Sequence, residues 1–145
     1  AAVDADIIAG SLLEPESWWD DEPYERILLD VPCTGTGVMR RHPDIKFRRQ
    51  PENALQFADT QLQLLRQAWC LLKPDGKLLY TSCSILPAEN EHCIAGFIAQ
   101  TSDARALALP EYLGIETGHG RQRLPGVHSG DGFFYALLHK ILLGS

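Results

Sequence analysis

Asp30-Val31-Pro32-Cys33-Thr34-Gly35-Thr36-Gly37 sets a carboxylate shortly before a thiol and follows the thiol with two glycines. A thiolate can add to an electron-poor carbon and leave again, and a neighbouring carboxylate can bind or polarise the group under attack. A second thiol stands in a matching setting, in Thr81-Ser82-Cys83-Ser84. Each follows a short apolar run, Arg26-Ile27-Leu28-Leu29 for the first and Lys77-Leu78-Leu79-Tyr80 for the second. Such runs suit parallel strands covered on both faces. Pro32 ends the first strand because it cannot donate to a ladder, while Gly35 and Gly37 let the backbone turn sharply and approach a flat ligand. Open α/β sheets keep their chemistry at the carboxyl ends of strands, so two neighbouring parallel strands bring Cys33 and Cys83 to one rim.

The elements that must position those thiols follow from periodicity. Leu55, Ala58, Leu62, Leu65, Trp69 and Leu72 recur at steps of three and four, which predicts an amphipathic helix from about Pro51 to Leu72 lying over the sheet. Lys73-Pro74-Asp75-Gly76 stops it and turns the chain into the Leu78 strand, a βαβ crossover. Within that helix Cys70 is expected to be buried as a small apolar residue. Pro87 with Glu89 and Glu91 opens a second helix, where acidic groups suit the positive N-terminus, and Ile94, Phe97 and Ile98 form its apolar side with Cys93 packed next to them. Phe133 to Leu138 reads as a closing strand. The fold expected is α/β, doubly wound and mostly parallel.

Elsewhere the signals are weaker. Ile7-Ile8 carries a faint strand pattern that reaches a turn at Gly10-Ser11. Glu14 to Pro23 is acidic and broken by prolines, a surface loop in which Trp18 and Trp19 pack on the core. Thr117 to Gly126 reads as an exposed loop; Gly118-x-Gly120 follows no convincing strand and opens no helix, so it is no dinucleotide fingerprint.

With 145 residues the chain is one domain's worth, and no apolar run approaches the length of a membrane helix. No signal-peptide pattern opens it, so no membrane partner and a cytoplasmic location are expected. Four cysteines without Cys-x-x-Cys or histidines at ligand spacing argue against a metal and against a disulfide framework. A formal charge of -6 rules out holding nucleic acid by overall charge. Any such contact is local, and one basic concentration exists: Arg40, Arg41, Lys46, Arg48 and Arg49, with His42 among them, five of the chain's 13 Lys and Arg. Arginines fork onto phosphates or stack on bases, and these follow Cys33 closely.

Taken together, Asp-x-Pro-Cys-x-Gly-x-Gly and the later Tyr-x-x-Cys-Ser resemble the RNA cytosine-5 methyltransferases with two active-site cysteines, and the bacterial 16S ribosomal-RNA members above all. Arg40-Arg41-His42-Pro43-Asp44-Ile45-Lys46, Pro87-Ala88-Glu89-Asn90-Glu91 and Gly132-Phe133-Phe134-Tyr135-Ala136 extend the likeness, which runs from about Glu25 to Lys140. The resemblance implies a Rossmann-like fold dependent on S-adenosylmethionine, with small-subunit ribosomal RNA as substrate. It implies Cys83 as the nucleophile that adds to ring carbon 6 of cytosine, Cys33 as the cysteine that assists product release, and Asp30 at the Watson-Crick edge of the extruded base. DNA cytosine methyltransferases attack with the Pro-Cys thiol, so residue chemistry alone leaves the reverse assignment open.

The resemblance also places donor contacts at Asp30, Pro32, Gly10 and Ser11, where an aspartate is expected in place of Ser11. The glycine-rich loop and the acidic residue that bind the donor in this architecture do not precede Ile7, so residues 1 to 145 read as the C-terminal portion of a catalytic domain with its first strands and most of its donor site missing. An exposed sheet flank and self-association through it are expected to follow. Two other readings stand beside the enzyme: a non-catalytic RNA-binding remnant, and a cysteine hydrolase using His42, His92, His119, His128 or His139 as base.

Overall fold

The computed structural model describes residues 2–39, 41–42, 51–127 and 130–144. The strands are β1 (Tyr24–Asp30), β2 (Leu72–Ser82), β3 (Ala104–Leu107), β4 (Ile115–Glu116), β5 (Arg121–Arg123) and β6 (Phe133–Lys140), and the helices are α1 (Pro51–Leu71) and α2 (Glu91–Ala99). They make a single sheet in the order β1-β2-β6-β5-β4, with β3 also paired to β6. The predicted neighbours are parallel and in step, Ile27 opposite Leu78 and Asp30 opposite Thr81. Among the described residues the other pairings are antiparallel, which corrects the expectation of a mostly parallel sheet. β6 enters beside β2 from the opposite end, so Phe134 pairs with Ser82 and the amino end of β6 reaches the rim that carries the cysteines.

Alternation decides which side of the sheet is core. Leu29, Leu78, Tyr80, Phe134, Ala136 and Leu138 are buried with Leu65, Trp69, Ile94 and Phe97, so both helices cover one face. On the other face Leu28 is 68% exposed and lines a hollow with Leu79 and Leu137. Among the described residues, then, β1 is covered on one side, against the reading of its apolar run as doubly buried.

Helix α1 forms where the period put it, and Lys73-Pro74 ends its pattern. Lys140 donates to the carbonyls of Trp69 and Leu72, both at 2.9 Å, placing a cation on the helix's unsatisfied C-terminal end. The Trp69 ring meets Phe97 edge-on at 5.2 Å and donates its Nε1 hydrogen to Asp103 at 2.9 Å. Two readings of α1 are corrected: Cys70 is exposed rather than buried, and Leu55 is 67% exposed, because Leu65, Ala68, Trp69 and Leu72 define a stripe on which neither lies. Lys73 to Gly76, read as a turn, sits as an irregularity inside β2, where Asp75 takes a left-handed φ of 68°.

Ile7 and Ile8 are exposed and lie in no strand. Trp18 and Trp19 are half-buried and pin their loop, donating to the carbonyls of Ser11 at 2.7 Å and Glu22 at 2.9 Å. The segment read as a loop from Thr117 holds β5, which pairs with β4 and β6, while β3 carried too little pattern over four residues to be noticed.

Candidate active site

The parallel register of β1 and β2 sets the site. Their carboxyl ends finish together, Val31 N–H donates to Thr81 O at 3.1 Å, and the chains then diverge into the two cysteine loops. Cys33 Sγ and Cys83 Sγ lie 3.0 Å apart, both half-buried. Asp30 is exposed beside them, one carboxylate oxygen accepting the Thr81 hydroxyl at 3.1 Å. Gly35 takes the left-handed φ of 75° that turns the first loop, and Gly37 lets three backbone segments stack. Gly37 N–H donates to Cys83 O at 2.8 Å while Gly132 N–H donates to Gly37 O at 2.7 Å.

Below the sulfurs lies a buried polar layer. Glu89, read from sequence as an acidic residue for a helix terminus, is fully buried instead. Its carboxylate accepts from Thr34 N–H at 2.8 Å, the Thr34 hydroxyl at 2.7 Å, Gln61 Nε2 at 3.3 Å and the Ser84 hydroxyl. Asn90 accepts from Ser82 Oγ at 2.6 Å and donates to Ser84 O at 2.8 Å and to Gln122 at 2.7 Å, bracing both sides of Cys83. Tyr80 OH donates to Glu89 O at 2.7 Å, and burial drives its phenol well above the ordinary range. These residues were missed from sequence, though a signal existed: Gln61 interrupts the apolar side of α1, and a buried amide there needs polar company.

The two sulfurs are electrostatically unequal. The bond from the Cys33 thiol, above all, lowers the Cys83 pKa from an ordinary 9.0 to about 7, against the raising effects of burial and of the Asp30 and Glu89 charges. The same bond, then burial, holds Cys33 protonated. Cys93 is buried, as expected, and its thiol is pushed up by desolvation. Alkylation of Cys83, followed peptide by peptide, should therefore rise through a midpoint near pH 7. A Cys83 midpoint near 9 would show that the bond between the thiols does not form in solution.

Other predicted residues fall elsewhere. Pro32 is exposed on the rim and its carbonyl accepts from Gln61 Nε2 at 2.8 Å. Gly10 abuts Trp18 so closely that a Cβ there would come within 2.5 Å of the indole. Ser11 gives its hydroxyl oxygen to Leu13 N–H and its carbonyl to Trp18. Asp30 and Pro32 thus lie at the rim that carries the thiols, whereas Gly10 and Ser11 lie against the Trp18 loop.

Arg41 is exposed and ion-paired with Asp131 at 2.6 Å, and His42 is exposed; Arg40, Lys46, Arg48 and Arg49 lie outside the described residues. Of the proposed bases, His119 sits against Glu91 and His139 against Asp75, His92 is exposed, and His128 lies outside the described residues. Among the described residues no histidine is bonded to either sulfur, which leaves the hydrolase reading without support. No group of residues suited to a metal and no helix long and apolar enough to cross a membrane occurs among them.

The chain is 48% identical over 139 residues to ribosomal RNA small subunit methyltransferase B of Pseudomonas putida, covering 96% of this chain and 32% of the relative. It thus spans about a third of that protein's length. Among solved structures, a methyltransferase homolog from Pyrococcus horikoshii is 29% identical, with a TM-score of 0.72, over 91% of this chain and 43% of that one. NSun6 from Pyrococcus horikoshii, solved with SFG, shares the fold at a TM-score of 0.81 with 23% identity, over 94% of this chain and 35% of that one. The sheet is accordingly part of a Rossmann-like methyltransferase fold. The family described as 16S rRNA methyltransferase RsmB/F matches residues 2–139, and the chain belongs to that family.

Proposed function

We propose that this chain is the C-terminal part of a catalytic domain that methylates carbon 5 of a cytosine in small-subunit ribosomal RNA, with S-adenosylmethionine as donor. The observation that carries the reading is the pair of thiols 3.0 Å apart beside Asp30, at the joint carboxyl end of two parallel strands. The name of the Pseudomonas putida relative supports the substrate class.

In this reading Cys83, the lower-pKa sulfur, adds to ring carbon 6; the S–C6 bond forms, the C5–C6 π electrons move onto the ring, and carbon 5 becomes nucleophilic. Asp30 holds the ring edge and offsets the charge that develops there. The donor, when bound, supplies an electrophilic methyl group. After methylation the carbon 5 proton passes to solvent water, its electron pair restores the C5–C6 double bond, and the C6–S bond breaks so that the sulfur leaves as thiolate. Cys33, whose sulfur lies 3.0 Å away and whose thiol is held protonated, assists that release by donating to the departing sulfur and stabilising the anion. Arg40 and Arg41, with the basic residues to Arg49, supply the positive charge for the RNA backbone.

The test uses the full protein with RNA carrying 5-fluorocytosine, whose fluorine cannot leave as a proton does. A donor-dependent adduct that survives denaturant and maps to the Cys83 peptide is expected. An adduct absent under these conditions would instead favour an RNA-binding remnant.

A further inference from the structure

Thr34 directly follows Cys33 and Ser84 directly follows Cys83, yet both are tied to one carboxylate. We propose that Glu89 is a positioning residue that sets the separation of the two sulfurs by clamping the loop behind each cysteine. The inference rests on the cysteine pair being the reacting site.

The geometry is divided evenly. Glu89 Oε1 takes the backbone N–H of Thr34 and Gln61 Nε2 from helix α1, and Oε2 takes the hydroxyls of Thr34 and Ser84. All four partners donate, which suits an ionised carboxylate whose oxygens only accept. Among the described residues no lysine or arginine pairs with it, so directed dipoles alone hold a fully buried acid. An acid that served a helix terminus would face the free amides of α2; this one faces away, toward the cysteine loops. Its own backbone is fixed, since Tyr80 OH holds its carbonyl and Asn90 N–H closes the turn onto Pro87 O at 3.1 Å. The clamp is therefore stiff at its base. Opposing it, Glu89 shares with Asp30 a negative field that disfavours the Cys83 thiolate, and the one group that favours it strongly is the Cys33 thiol that the clamp holds in place.

These two effects have opposite signs, which makes the proposal testable. In the full protein, Glu89→Gln removes the charge but also replaces an acceptor with a donor facing donors, so the loops loosen. The alkylation midpoint of Cys83, read by peptide mass spectrometry, is expected to climb from about 7 toward the ordinary 9.0, and its rate at pH 7 to fall roughly tenfold or more. An unchanged midpoint in folded protein, or one that drops because loss of the charge dominates, would overturn the clamp. A merely structural role would lower the melting temperature and leave the midpoint of the folded fraction alone.

Should Glu89→Gln not fold, Thr34→Val and Ser84→Ala each cut one tether. Each is expected to raise the midpoint by part of the same span, and no rise in either overturns the proposal. Alkylation needs no RNA, so failure here and absence of the fluorocytosine adduct in wild-type protein are separate results.

Discussion

Cys83→Ala in the full protein should eliminate methyl transfer and the covalent adduct together, a loss on the order of 10⁴-fold or more, because no other group replaces a missing nucleophile. Cys33→Ala should behave differently. The attacking sulfur remains, but its partner at 3.0 Å is gone, so addition continues and departure slows. RNA-linked protein should then accumulate and resist denaturing electrophoresis with ordinary, unfluorinated substrate. The Cys83 midpoint should also rise from about 7 in that variant, since its largest lowering influence is the lost thiol. Trapping in Cys83→Ala rather than Cys33→Ala would exchange the two roles.

Gly37→Ala should damage the site without touching either thiol. A Cβ at that position would lie 2.3 Å from Gly132 O and 2.6 Å from Cys83 O, both backbone atoms that cannot swing aside. The three stacked segments must separate, costing about 1 to 3 kcal/mol of stability by analogy with overpacked cores and breaking the Gly37 to Cys83 bond. Gly96→Ala is the comparison: its Cβ would meet nothing within 4 Å in the middle of α2, so about 0.5 to 1 kcal/mol of gain is expected from helix propensity. Thermal melts of the two variants measure the contrast. A neutral Gly37→Ala would mean that the loops are held by the Glu89 layer alone.

Sequence revealed the parts of this site that depend on local pattern. The strands around Ile27 and Leu78, the helix over them and the meeting of Cys33 with Cys83 all follow from short apolar runs, a regular period and the rule that parallel strands end together. What escaped notice depends on contacts between distant segments. Glu89 looks like any acidic residue near a helix start, and its burial is visible only when Thr34 and Gln61 arrive from elsewhere in the chain. Cys70 shows the converse: cysteine is a residue type found mostly inside, but here its position on the helix put it outside. The antiparallel entry of β6 was hidden because an apolar run carries no direction.

The placement of β6 also has a kinetic meaning. It is the last strand of the described chain, yet it lies between β2 on one side and β3 and β5 on the other, so none of those three strands completes its pairing until β6 has been synthesised. Gly132, the residue leading into it, also closes the stack over Gly37. A nascent chain therefore carries both cysteines before β6, which completes the sheet behind them, has been made. Pairings of such wide sequence separation form slowly, and they form late. The sheet behind the cysteine rim is thus completed only when β6 joins it.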